Sequence, residues 1–243
     1  MSPRTLLCSL FLSLISWQTS QATDTAAIFI EGKQLHYYGL ISAAANEQLS
    51  RIYQQSTPKP EWLSIKSRGG EIDDGIALGN WIADHKLHLQ VLEYCLSSCA
   101  NYVFPAANKK QISHFAIIGF HGGAASNYSA QLEQLSATVP DWPQQRPKWE
   151  AQMDQKRQRE RAFYYRIHVD ARLPIMGQAA RFATRRHEGK HKGWVYSLAA
   201  YQKLGVHDVE FIKPNCRSQP DLGFFEIDAD MVDVADDTTT SIP

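Results

Sequence analysis

The sequence has no excess of charge of either sign, because 25 Lys and Arg balance 25 Asp and Glu. A neutral balance offers no broad basic surface for phosphate backbones, so no nucleic-acid partner is predicted. Neither Gly-x-Gly-x-x-Gly nor Gly-Lys-Ser/Thr occurs, which argues against the common nucleotide-binding loops. The histidine pairs His85/His88 and His187/His191 lack a nearby Cys or acid cluster at metal-ligand spacing. We therefore predict no metal site and no cofactor.

Long apolar runs are also absent, apart from Leu6–Trp17 near the amino terminus. Its roughly 12 apolar residues fall short of the roughly 20 that a membrane-spanning helix needs. Arg4 precedes the run and Ser20-Gln21-Ala22 follows it, as in a secretory signal peptide. We predict that residues 1–22 are a signal peptide, and that the mature protein is periplasmic or secreted without a membrane span.

Removing residues 1–22 leaves 221 of the 243 residues (243 − 22), enough for one domain with a sizeable core. No internal repeat and no linker divide this length. Residues 224–243 hold six acids and no Lys or Arg. The predicted organisation is thus one domain over residues 23–221, followed by an acidic, disordered tail over residues 222–243.

Cysteine is scarce, with three residues left after cleavage: Cys95, Cys99 and Cys216. Outside the cytosol such cysteines can oxidise. Cys95 and Cys99 are four residues apart across a predicted tight turn, and a bridge forms if their Cα atoms come within about 7 Å. We predict a Cys95–Cys99 disulfide, while the odd third cysteine leaves the pairing open.

Apolar patterns alternate between strand and helix periods along the chain. This alternation predicts right-handed crossovers and a mainly parallel sheet in an α/β fold. Strands are predicted at 26–31, 62–67, 87–94, 115–121 and 206–212, and helices at 40–55, from 73, at 149–168, 170–186 and 197–204, with a buried helical turn at 100–104 and a polar insertion at 126–147.

Three loops between these elements carry the residue types of a serine hydrolase. Gly69 and Gly70 follow one strand and offer backbone N–H groups for an oxyanion. Ser98 stands at the next strand-to-helix turn, and His121 ends a third apolar strand as a candidate base. Serine is also a common helix N-cap. Either Ser97 caps the helix while Ser98 reacts, or the reverse.

Together, these motifs resemble the Clp protease and crotonase superfamily, in particular its Ser-His peptidase branch and exported relatives. Ser67-Arg68-Gly69-Gly70 is similar to the family's Ser-Pro-Gly-Gly oxyanion loop, with arginine in place of proline. The resemblance covers about residues 26–213. It is carried further by the serine helix Ser98–Ala107, the histidine strand Ile117–His121, and the closing segment Tyr196–Ala200 with Leu204-Gly205-Val206.

The resemblance implies a spiral of β-β-α units, with a mainly parallel sheet flanked by helices. It implies Ser98 as nucleophile, or Ser97 in its place, with His121 as base and N–H groups of Gly69, Gly70 and Cys99 around the oxyanion. The predicted function is an exported serine hydrolase, a peptidase by preference, acting on a peptide or protein. The alternative is an inactive binding or assembly module.

The sequence departs from the family pattern at the third catalytic position. The family's proteases carry an aspartate shortly before the closing helix, where this chain has none. Glu188 is the nearest acid and is the predicted partner of His121, with Asp170 as a more distant candidate. The family's homo-oligomeric rings or trimers are a further implication. Acyl-CoA chemistry is not predicted, because CoA is a cytosolic cofactor.

Overall fold

The computed structural model describes residues 25–187, 191–212 and 223–233. The predicted signal peptide, Glu188 and Cys216 lie outside these residues. No helix in the described ranges is long and apolar enough to cross a membrane.

The predicted α/β class, with a mainly parallel sheet flanked by helices, is confirmed. The main sheet has the order β1-β2-β3-β4-β5-β8, and every pairing in it is parallel except that of β1 with β2. The strands are β1 (Ala27–Glu31), β2 (Gln34–Tyr38), β3 (Trp62–Ser67), β4 (His88–Leu96), β5 (Lys110–Ser113), β6 (Ile117–Gly119), β7 (Gly193–Tyr196), β8 (Val209–Ile212) and β9 (Phe224–Ile227).

Helices connect these strands and cover the sheet. They are α1 (Ala43–Gln55), α2 (Ile72–His85), a π-helical turn (Cys99–Val103) continued by α3 (Phe104–Ala106), α4 (Ser129–Thr138), α5 (Trp142–Arg166), α6 (Ala183–His187), α7 (Leu198–Lys203) and α8 (Ala229–Val232). The predicted helix over 170–186 is instead two 3₁₀ turns, Met176–Gln178 and Ala180–Phe182, followed by α6. The polar insertion at 126–147 folds into α4 and the first turns of α5.

On the side away from β3, strand β4 pairs with two different strands along its nine residues. Its first half, at Leu89–Val91, pairs with β5, and its last residues, Tyr94–Leu96, pair with β6. Because β3, β4 and β6 are parallel neighbours, their carboxyl ends meet at one edge of the sheet. That edge carries all three loops singled out above.

Within the predicted disordered tail over residues 222–243, residues 224–233 form a strand and a helix instead. Strand β9 pairs in parallel with β7, and α8 follows it. Phe225 and Ile227 on β9 are buried. Burial of these apolar side chains stabilises a segment whose acidic composition had predicted disorder. This small sheet joins the rest of the fold through a bridge between Trp194 and Phe120, next to His121.

Helix α5 packs against α2, and both ion pairs and apolar contacts hold these two helices together. Exposed ion pairs join them on one side: Arg159 binds Asp73 with N–O distances of 2.8 and 3.1 Å, and Lys156 lies 3.2 Å from Glu71. Each such pair contributes at most about 1 kcal/mol. The main contribution comes from the buried face of α5, where Phe163 packs against Tyr102 of the π-helical turn and lies close to Gly79 of α2.

Candidate active site

The candidate site forms where β3, β4 and β6 end side by side. In register, Ser67 lies opposite Cys95, and Leu96 lies opposite Gly119. The residues that follow these strand ends are therefore neighbours in space although they are far apart in sequence. This placement brings the Gly69-Gly70 loop, the Ser97-Ser98 turn and His121 together.

Ser97 has an unusual backbone conformation, with φ of +54°. A non-glycine residue in the left-handed region costs roughly 1–2 kcal/mol and is held there by its surroundings. Its N–H donates to the carbonyl of Gly119 at 2.9 Å, and its carbonyl accepts from the N–H of Asn101 at 2.8 Å. These bonds fix a sharp strand-to-helix turn with Ser97 at its apex.

His121 contacts Ser97, since its Nε2 lies 2.8 Å from Ser97 Oγ. Ser98 turns the other way and donates its hydroxyl to the carbonyl of Gly70 at 2.7 Å. The expected contact of His121 with Ser98 is thus replaced by one with the neighbouring serine. Because the backbone of Ser97 is left-handed, the side chains of Ser97 and Ser98 point in different directions. The order of the residues in the sequence does not reveal this difference.

The Gly-Gly loop lies in close contact with the serine turn. Gly69 has φ of +96°, and a Cβ there would come within 2.7 Å of the Leu96 carbonyl oxygen and 2.8 Å of Ser97 Cβ. A Cβ on Gly70 would lie only 1.9 Å from the carbonyl oxygen of Ile41. Both positions therefore require glycine for steric reasons.

The N–H groups of this loop differ in availability. Gly69 N–H donates to Ser67 Oγ at 3.0 Å, so it is engaged within the loop. Among the described residues, no acceptor is found for the N–H of Gly70 or of Ser98. Ser98 precedes the π-helical turn that begins at Cys99, where backbone N–H groups lack intrahelical acceptors. Gly70 and Ser98 line the same cleft as Ser97, so their N–H groups are the two candidate oxyanion donors.

Partial desolvation of the His121 imidazole lowers its pKa below the ordinary value, an effect opposed by a hydrogen bond with its own backbone carbonyl. The lowered pKa favours the neutral form of the ring at pH 7, which is the form able to accept a proton. No carboxylate within the described ranges contacts this ring. Glu188 lies outside those ranges, so its predicted role stays a prediction.

Asp170 is committed to another partner. Its carboxylate accepts from the side chain of Arg172 at 2.6 to 3.1 Å and from the Arg172 backbone N–H at 2.8 Å. Although burial acts to raise the pKa of Asp170, these bonds hold it below the usual range. The carboxylate is thus an ionised partner of arginine, with no contact to His121.

A disulfide closes the serine turn. Cys95 and Cys99 are bonded, with Cα atoms 5.2 Å apart, and both are fully buried. The predicted pairing is therefore present, and it brackets Ser97 and Ser98 in a five-residue ring. A disulfide is compatible with an oxidising, extracytoplasmic location.

A cleft of about 410 Å³ opens over the Ser97–His121 pair. Its walls are polar and come from the Gly-Gly loop, the histidine loop and α4, with Glu71, Tyr128 and Gln178 among the side chains. A second cleft of about 330 Å³ shares His121 and Gln178. His121 thus lines both clefts, whereas Ser97 lines only the first. No cluster of metal-ligating side chains occurs in the part of the chain that the structure describes.

The segment after His121 is held by residues that the sequence did not single out. Asn101 Nδ2 donates to the Gly122 carbonyl at 2.7 Å, and Gln178 Nε2 donates to the His121 carbonyl at 3.2 Å. The carboxylate of Glu160 accepts from the N–H groups two and three residues beyond Gly122. The one sequence signal for Glu160 is its position, because it is a charged residue at a place in the helical repeat where apolar residues are expected.

No family model matches the chain, and no curated protein matches it. Among solved structures, it is similar to an enoyl-CoA hydratase from Thermoplasma volcanium, with 10% identity, 39% of this chain and 50% of that chain covered, and a TM-score of 0.30. An enoyl-CoA hydratase from Shewanella pealeana aligns with 6% identity over 36% and 46% of the two chains, with a TM-score of 0.29. A methylmalonyl-CoA decarboxylase aligns with 6% identity over 37% and 44%, also at 0.29.

These solved structures belong to the crotonase side of the superfamily that the sequence motifs resemble. The aligned part spans about half of each of those chains or less. Similarities of this strength assign no reaction, so the chemistry of this chain has to follow from its own residues.

Proposed function

We propose that this protein is an exported serine hydrolase, with peptides as the favoured substrates, in which Ser97 is the nucleophile and His121 the general base. The observation that carries the proposal is the 2.8 Å contact between Ser97 Oγ and His121 Nε2. That distance lies within the range for proton transfer from a nucleophile to its base. The left-handed backbone of Ser97, which exposes the side chain at a sharp turn, adds support.

In the proposed reaction, Ser97 Oγ attacks the carbonyl carbon of the scissile bond while its proton moves to His121 Nε2. The developing oxyanion accepts hydrogen bonds from the N–H groups of Gly70 and Ser98, in place of the predicted donors Gly69 and Cys99. His121 then returns the proton to the leaving amine or alcohol, which departs and leaves an acyl-serine. Water, deprotonated by the same histidine, releases the acid and restores the hydroxyl.

Ser98 has a supporting role in this scheme. Its hydroxyl bonds to the Gly70 carbonyl and so ties the oxyanion loop to the serine turn. The scheme requires that the neutral His121 ring carries its proton on Nδ1, so that Nε2 accepts from the Ser97 hydroxyl. Glu188 remains the proposed carboxylate partner of this histidine.

A fluorophosphonate probe, which modifies only activated serines, tests the assignment with adjacent serines as matched variants. We expect labelling of the wild type, none in Ser97→Ala or His121→Ala, and slower labelling in Ser98→Ala. The opposite pattern, with labelling lost in Ser98→Ala and kept in Ser97→Ala, would assign the nucleophile to Ser98. A folded wild type that is never labelled and cleaves no ester or peptide would instead be the inactive binding or assembly module.

A further inference from the structure

The inference concerns Glu160, a carboxylate buried beneath the candidate site. Glu160 lies on α5 and is 1% exposed. Burying a carboxylate is costly unless hydrogen bonds replace its hydration. Here Oε1 accepts from the Tyr102 hydroxyl at 2.6 Å and from Ala124 N–H at 3.0 Å, and Oε2 accepts from Ala125 N–H at 3.0 Å. Both oxygens are therefore occupied by protein donors.

The donors come from the two segments that carry the reacting groups. Tyr102 lies in the buried helical turn that begins after Ser98, whereas Ala124 and Ala125 lie in the loop that begins at His121. One carboxylate thus links the serine segment to the histidine segment. The burial of Glu160 raises its pKa, and the hydrogen bonds from Tyr102 and the two amides oppose that effect.

The fit around the carboxylate leaves little freedom. A Cβ on Gly123 would come within 2.4 Å of Glu160 Oε1. One turn further along α5, the Tyr164 hydroxyl donates to the Asn101 carbonyl at 2.7 Å, so the same helix face holds the serine segment a second time. Helix α5 therefore determines the distance between the two segments.

Resting on the function proposed above, we propose that Glu160 is a positioning residue that holds His121 at bonding distance from Ser97. With glutamine in its place, one of the two acceptor oxygens becomes an NH2 donor, so one of the two loop N–H groups loses its acceptor and faces a donor instead. The loop then shifts, and the imidazole moves relative to the hydroxyl. A misplacement of about 1 Å can lower a catalysed rate about 100-fold. The carboxylate itself does not touch the reacting atoms.

The test compares Glu160→Gln, which keeps the size but removes the charge, with Glu150→Gln as matched control. Glu150 lies on the same helix, its side chain is 45% exposed, and within the described ranges its ion-pair partner is Arg146. With p-nitrophenyl acetate as substrate, we expect kcat to fall about 10- to 100-fold in Glu160→Gln with KM unchanged, and no change in Glu150→Gln. The imidazole NMR titration of His121 should shift only in Glu160→Gln. A folded Glu160→Gln protein with wild-type kcat and an unshifted His121 titration would overturn the proposal.

Amide hydrogen exchange of the wild type provides a measurement that needs neither a stable variant nor activity. We expect slow exchange at Ala124 and Ala125, because both N–H groups bond to the carboxylate. Exchange at the rate of a free loop at both positions would refute the link. If the wild type hydrolyses and labels nothing, the proposed function fails, while exchange and the His121 titration still decide whether Glu160 positions the histidine.

Discussion

Replacing Gly69 by alanine tests the close approach of the oxyanion loop to the serine turn. The φ of +96° at this position costs an alanine roughly 1–2 kcal/mol. The added Cβ would also lie 2.7 Å from the Leu96 carbonyl oxygen and 2.8 Å from both Ser97 Cβ and Ser98 N. Contacts this short force the backbone to shift, at a further cost of about 1–3 kcal/mol. We therefore expect Gly69→Ala to lower the free energy of unfolding by about 2–5 kcal/mol.

Gly32 provides a matched control for this substitution. It also has a positive φ, of +61°, but a Cβ there would meet no atom within 4 Å. Gly32→Ala therefore carries the backbone cost without the contacts. The lower entropy of the unfolded chain, which favours alanine, applies to both variants and cancels in their difference.

Urea unfolding followed by circular dichroism measures both variants under the same conditions. The expected difference between Gly69→Ala and Gly32→Ala is about 1–3 kcal/mol, with the larger loss at Gly69. Fluorophosphonate labelling should slow in Gly69→Ala and stay unchanged in Gly32→Ala. Equal losses of stability in the two variants would refute the reasoning, because the loop would then not lie against the serine turn.

Four further predictions concern the site and the chain ends. The pKa of His121 is lowered, and its neutral form is the base. The rate of labelling should therefore be constant at neutral pH and decline as the pH falls, with the midpoint of the decline below about pH 6.5. A midpoint above that pH contradicts the assignment. Replacing Cys95 and Cys99 by serine should cost about 2 kcal/mol in urea unfolding, since the bond closes a short ring, and should slow labelling; unchanged values would show that the bridge does not brace the turn. Glu188→Gln should slow ester hydrolysis if this residue orients the histidine, and an unchanged rate would define a dyad. Amino-terminal sequencing of protein from the cell envelope should begin near Thr23, and a retained initiator methionine argues against cleavage.

Several strands were not predicted, and their absence from the prediction has a common cause. Strands β2, β5, β7 and β9 have only four or five residues each. Patterns this short are easily missed, although β1 and β8, which have similar lengths, lie within predicted strands. In the structure, pairing with partners far along the chain defines them, as when β5 pairs with β8. The longer strands β3 and β4 were predicted with nearly correct bounds.

The choice between the two serines also depended on tertiary structure. Both Ser97 and Ser98 fit the turn between β4 and the buried helix, and the family resemblance pointed to Ser98. The left-handed φ of Ser97, maintained by bonds to Gly119 and Asn101, decides which hydroxyl faces His121. The bond to Gly119 joins residues 22 positions apart (119 − 97), so no local pattern contains it.

The sequence by itself determined the chemical types at the site and their order along the chain. Alternating strand and helix periods predicted a mainly parallel sheet, and parallel strands bring the loops at their carboxyl ends to one edge. Only the tertiary structure decided that Ser97 meets His121 and that Glu160 joins their two segments. Periodicity is a property of residues that are neighbours in sequence, so the sequence alone reveals it. The burial of a carboxylate and the direction of a hydroxyl depend on groups that are distant in sequence and come together only in the folded protein.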